Sequence, residues 1–153
     1  MLQVKIKTEL KEAMLSKDTL KTMVLRGLLA EFVNNLIAQK KKPQEEISDT
    51  DALSVIKKAV KQRKDSIEQF GKGGRADLVN AEKAELEILE QYLPEMLSAP
   101  EIEKIARAQK MALGLADKSK MGILIGAVMK EIKTSGADAD GATIKQVVEN
   151  LFA

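Results

Sequence analysis

Apolar side chains recur at every third or fourth position along almost the whole chain, and only a helix brings residues so spaced onto one face. Leu2, Ile6, Leu10 and Met14 open the series, and Val24, Leu25, Leu28, Leu29, Phe32, Val33, Leu36 and Ile37 continue it. Leu53, Ile56, Val60, Ile67 and Phe70 form a third stripe; Leu78, Leu86, Leu89 and Leu93 form a fourth. Of the residues, 44% are hydrophobic and only 3% aromatic, so the apolar mass is Leu, Ile, Val, Ala and Met, a helical palette. The expected fold class is all-α.

Punctuation between the stripes divides the chain. The first helix is expected to end near Ser16, and Asp18 to cap a second that stops in the basic turn Lys40-Lys41-Lys42 before Pro43. Ser48-x-x-Asp51 has the form of a third helix start, and Gly71-Lys72-Gly73-Gly74 turns the chain back into a fourth helix, making a long antiparallel hairpin. After Tyr92-Leu93-Pro94, the run Ser98-Ala99-Pro100-Glu101 reads as a capping box with proline in the first turn. Two helical subdomains follow: residues 1–97 with four helices, and residues 98–153 as a three-helix bundle. Its helices start at Pro100, at Ser119 or Lys120, and at Asp140, the last with Ile144, Val147, Val148 and Leu151 on one face.

One position breaks the third stripe. Arg63 falls on the seam between Val60 and Ile67, where a charge must reach water or meet an anion. Folding the hairpin about its glycine loop opposes residues whose numbers sum to about 145, which sets Arg63 against Glu82, with Glu85 one turn away. A structural ion pair of Arg63 with Glu82 or Glu85 is expected.

The absence of both histidine and cysteine is the strongest statement about chemistry. It removes the usual general base near neutral pH, the commonest metal ligand, thiolate nucleophiles and disulfides. Ser66 near Lys61, Arg63 and Lys64 has no group to orient it, and Asp138-x-Asp140-Gly141 lacks the glutamate of a calcium loop, Val147 standing there instead. Asp140 reads better as a helix cap. No catalytic residue, metal or cofactor is expected.

Surfaces are more informative. Lys57, Lys58, Lys61, Arg63 and Lys64 form a basic strip that could contact phosphates, or be a solvated face answered by Glu82, Glu85, Glu87 and Glu90. The loop Gly71-Lys72-Gly73-Gly74-Arg75 reads as a hairpin turn in preference to a phosphate cradle, since no Walker pattern is present. Gly122 and Gly126 stand one turn apart on one helix and each costs it about 1 kcal/mol relative to Ala, so something is expected to approach there. A neighbouring helix backbone is one candidate; an RNA backbone or a partner protein is the other.

Several of these residues carry a family resemblance. Lys61-Gln62-Arg63-Lys64-Asp65-Ser66-Ile67, Gly74-Arg75-x-Asp77-Leu78, Glu82-x-x-Glu85, Leu89 and Tyr92-Leu93-Pro94 resemble the YqeY family over nearly the whole chain. Met121-Gly122-x-x-x-Gly126-x-x-Met129-Lys130 with Ala139-Asp140-Gly141 is similar to the tail domain of the B subunit of glutamine-dependent aspartyl/glutamyl-tRNA amidotransferase. The resemblance implies a tail-like second part that helps hold the outer corner of a tRNA, and a family association with carbon-nitrogen ligases that use glutamine as amide donor. The amide chemistry of that enzyme lies in parts with no counterpart here. Ile123 and Asp138 depart from the pattern, which often has Lys at the first position and Arg or Lys at the second; both changes remove positive charge.

The resulting expectation is an accessory module that binds tRNA, or a protein of the tRNA aminoacylation and amidation machinery, through Lys118, Lys120, Gly122, Gly126, Lys130, Lys133 and Lys145. Lys57, Lys58, Lys61 and Lys64 are the secondary strip. The alternative is a protein-interaction adaptor that uses the same bundle. The longest near-apolar run, Met121 to Met129, is far short of the ~20 residues of a membrane span. The amino-terminal stretch carries Glu9 and Glu12 and no Arg before Arg26, unlike a leader, so a cytoplasmic location is expected.

Overall fold

The computed structural model describes residues 1–153. It is all-helical, with seven α-helices, one 3-10 turn and a single isolated β-bridge. The chain forms two compact units, Met1–Leu93 and Pro94–Ala153.

The first unit contains α1 (Leu2–Leu15), α2 (Thr19–Ala38), α3 (Asp49–Lys72) and α4 (Ala76–Glu90). Helix α2 is its axis: Val24, Leu25, Leu28, Phe32 and Leu36 are buried, and Ile6 of α1, Ile56 and Val60 of α3 and Leu89 of α4 pack in the same cluster. Caps set the helix starts. Asp18 accepts from the Lys21 N–H at 3.0 Å, and Ser48 from the Asp51 N–H at 3.1 Å, each satisfying a donor the helix leaves unpaired.

Two details of the first unit differ from the periodicity reading. Helix α2 ends at Ala38, so Lys40-Lys41-Lys42 lie beyond it and do not form its last turn. The chain leaves instead through Lys40 at φ +59°, with the Lys41 N–H donating to the Leu36 carbonyl at 2.9 Å, a helix stop that sequence usually advertises with glycine. On α1, a strict spacing of four would bury Met14, yet Met14 is exposed while Gln3 and Ala13 are buried. A helix advances 3.6 residues per turn, so a run of fours drifts off the buried face.

Buried Gln3 has a specific task. Its Oε1 accepts the backbone N–H of Ile47 at 3.0 Å. Ile47 is the one residue of the α2–α3 connection that enters the core, and this bond spares its amide an unpaired burial. Nearby, Asp49 at the start of α3 accepts the Leu2 N–H at 2.9 Å, joining the amino ends of two helices.

Elsewhere in the unit, the buried Tyr92 hydroxyl donates to Glu9 of α1, and Lys21 of α2 lies 3.7 Å from the same carboxylate. The Lys5 ammonium stands 5.8 Å from the tyrosine ring centre. Burial first, then the hydrogen bond to Glu9 and its negative charge, push the Tyr92 hydroxyl well above its ordinary pKa.

In the second unit α5 (Ala99–Leu113), the 3-10 turn (Lys118–Lys120), α6 (Met121–Thr134) and α7 (Gly141–Leu151) enclose Ile102, Ala106, Leu115, Leu124, Val128, Ile132, Ile144, Val147 and Val148. Glu101 accepts from both the backbone N–H and the hydroxyl of Ser98, at 2.7 and 2.8 Å, closing the start of α5. Asp140 caps α7 through the Thr143 N–H at 3.1 Å. Gly114 ends α5 at φ +62°, a left-handed geometry that favours glycine. The bridge pairs Met96 with Asp138: the Asp138 N–H donates to Glu95 and its carbonyl accepts from Leu97, both at 2.9 Å. Residues 95–97 are thereby held within the second unit. Lys110 donates to the Leu151 carbonyl at 2.9 Å and stands 4.5 Å from the Phe152 ring centre, tying α5 to the end of α7.

Two outcomes are expected. Gln3→Leu, although it places an apolar side chain at a buried position, lowers stability by about 1–3 kcal/mol in denaturant unfolding because the Ile47 amide loses its acceptor; a neutral or stabilising result would contradict this. Tyr92 is the only tyrosine and there is no tryptophan, so phenolate absorbance reports one group. No phenolate signal arises from the folded chain near the ordinary value of 10.0. Because the unfolded chain ionises there and the folded chain does not, this group's stability contribution is complete below about pH 10 and is lost as pH rises further.

Candidate functional site

The hairpin of α3 and α4 is the best-defined polar constellation. Arg63 Nη1 lies 3.3 Å from Glu82 and Nη2 2.7 Å from Glu85. The carboxylates are 18% and 15% exposed and the arginine 37%, so the pair is half-buried and the guanidinium partly snorkels to water. Spaced one turn apart on α4, the two acids straddle one fork, which suits the planar geometry of guanidinium. This is an ion-pair clasp between helices.

The other parts of the family-like pattern also have structural tasks. Gly74 adopts φ +68°, and the Arg75 N–H donates to the Phe70 carbonyl at 2.9 Å, completing the reversal. Arg75 then forks onto Asp77 through Nε and Nη2 at 3.2 and 3.1 Å, and this hydrogen bonding holds the Asp77 carboxyl below its usual range. Helix α3 itself runs to Lys72, so the glycines that end it number fewer than the loop suggested. With its arginine answered inside the turn, the loop is a reversal and has little left for a phosphate.

Along α3, Lys57, Lys58, Lys61 and Lys64 are all exposed. Lys64 reaches Glu90 at 3.7 Å, whereas Glu82 and Glu85, which the sequence set against the whole strip, are taken by Arg63. Lys57, Lys61 and Lys64 share one face by spacing and Lys58 turns aside, so the strip is a broad solvated surface more than a groove.

Helix α6 differs. Its buried side is Leu124, Val128 and Ile132, and Gly122 and Gly126 lie on the exposed side. A Cβ added at either glycine would meet nothing within 4 Å. The expectation that a neighbouring helix backbone approaches here is therefore corrected: within the second unit the glycines face open space. Lys130 and Lys133 follow Gly126 by four and seven residues and share its face, and Lys118 and Lys120 stand at the amino end of the helix. All four lysines are exposed, and none has a carboxylate within ion-pair distance. Lys145, on α7, is 4.0 Å from Glu149 and belongs to a different helix surface. Ile123 and Met129, 57% and 39% exposed, complete the α6 surface as apolar members that a search for charges overlooks. Asp138, one of the two departures from the family-like pattern, is half-buried; its Oδ1 accepts the Ala139 N–H at 2.9 Å beside the bridge.

No group of three or more Asp or Glu side chains is placed to hold a metal ion. No helix is long and apolar enough to cross a membrane.

Comparison with known proteins gives the lineage. A family model described as Yqey-like protein matches residues 3–152. The chain is 35% identical over 135 residues to altered inheritance of mitochondria protein 41, mitochondrial, of Lachancea thermotolerans, covering 88% of this chain and 70% of that protein. The Saccharomyces cerevisiae protein of the same name is 31% identical over 146 residues, 95% of this chain and 77% of its own length. The Eremothecium gossypii protein of that name is 39% identical over 103 residues, 67% and 55% of the two chains. These relatives are named as mitochondrial proteins, which overturns the expected cytoplasmic location. The physical reason is that a cysteine-free chain of nearly balanced charge fits any reducing compartment and bears no imprint of one. Matched by the family model over almost its full extent and by relatives above 30% identity, the chain belongs to the YqeY-like protein family.

Proposed function

We propose that the second unit is an accessory RNA-binding module, seating the backbone of a folded tRNA against α6 in support of glutamine-dependent tRNA amidation carried out by another protein. The observation that carries this reading is the open glycine pair. Gly122 and Gly126 cost α6 stability and gain nothing from any contact inside the second unit. A ligand that needs close backbone approach accounts for them, and four exposed lysines without carboxylate partners supply the charge that phosphates require. The likeness of this stretch to the amidotransferase tail supports the choice of tRNA. The names of the relatives bring a mitochondrial setting with them. The chain contributes binding and no amide chemistry of its own, since it has no histidine, no cysteine and no activated nucleophile.

A second reading has its own support. Exposed Ile123 and Met129 on the same helix suit a protein partner better than a phosphate backbone. In that case the same surface docks a protein of the aminoacylation or amidation machinery.

Titration with folded tRNA discriminates. With four lysines engaged, the logarithm of affinity falls against the logarithm of salt with a slope of about −3, and Lys130→Gln reduces its magnitude by about 1. Gly126→Ala raises the melting stability by about 0.5–1 kcal/mol while weakening binding, an opposition that a merely structural glycine does not produce. A flat titration at low salt rejects the RNA reading, and capture of a protein partner that survives nuclease and is weakened by Met129→Ala favours the second.

A further inference from the structure

We infer that the cavity between α2, α3 and α4 binds a small organic cation carrying an apolar body. The cavity has a volume of about 400 Å³, inside the range of small-molecule sites. Its floor is the buried side chains of Val24, Leu28 and Leu89, and Met23 supplies an exposed, adaptable edge. Its wall is polar: Glu31 from α2, Arg63 from α3 and Glu85 from α4.

The charges on that wall decide the sign of the ligand. Two carboxylates stand against one guanidinium, and the guanidinium is already bonded to Glu85 and to a third acid, Glu82. Glu31 accepts only from the Asn34 amide, at 3.4 Å, and forms no ion pair. An anion entering toward Arg63 would have to displace a carboxylate and sit among those that remain. A cation meets the unpaired Glu31 carboxylate at once, and its apolar body lies against the exposed Met23.

A second observation marks the same place. Gly27 lines the cavity from within α2, in ordinary helical geometry, and a Cβ there would meet nothing within 4 Å. The packing of the unit gives no reason for glycine at this position. A side chain would instead grow into the space that the ligand occupies.

The probes are hexylammonium and hexylguanidinium, with hexanoate and hexanol as controls, added to the full chain while methyl resonances of Met23, Leu28 and Leu89 are followed by NMR. Saturable shifts at these methyls are expected for the two cations, with affinity for hexanoate and hexanol weaker by about tenfold or more. Gly27→Leu fills the cavity and Glu31→Gln removes the unpaired carboxylate; each weakens the cations by about tenfold while the helical circular dichroism is retained. Methyls that do not respond, hexanoate or hexanol binding as tightly as the cations, or unchanged cation affinity in folded Glu31→Gln would each overturn the assignment.

Discussion

A guanidinium on an apolar helix seam must reach water or meet an anion, and Arg63 does both, which shapes how the first unit is put together. Arg63 cannot leave the seam without abandoning the turn that Val60 occupies in the core, so the register of α4 must bring acids to it. A slide of one residue along either helix would turn Glu82 and Glu85 away and leave the arginine to water alone. Leu89 then falls into the core beside α2, and the chain emerges at Tyr92, whose hydroxyl reaches Glu9 of α1. Hydrophobic burial supplies the driving force, while the ion pair selects one arrangement among the many that burial alone would accept.

The helices were legible in the sequence because caps and apolar spacing act locally. Asp18, Ser48, Glu101 and Asp140 each bond to an amide within three residues, so their effect is written where they stand. The opposition of Arg63 to Glu82 was legible for a related reason, since a hairpin with a marked turn converts sequence distance into register. What escaped depends on contacts between distant segments. Gln3 and Ile47 are separated by 44 positions, and nothing near either one shows that an amide in a connecting loop will need a buried acceptor. The end of α2 escaped because its left-handed residue is Lys40 and not glycine. The meaning of Gly122 and Gly126 was open in the sequence, which shows that a helix tolerates glycine there but not whether a neighbour covers it; the fold answers that none within the second unit does.

The candidate surfaces of the two units differ in kind. In the first, polar groups converge on an apolar hollow between α2, α3 and α4, a geometry for enclosing something small. In the second, lysines and glycines are spread along an exposed helix, a geometry for lying against something large.

The glycines of α6 also bear on how the second unit acquires its shape. A fourteen-residue helix with two glycines has too little intrinsic propensity to persist alone. Its order is borrowed from Leu124, Val128 and Ile132 once these meet α5 and α7. The outward surface of α6 therefore rests on the packing beneath it, and whatever loosens Leu124, Val128 or Ile132 also blurs the face they hold up.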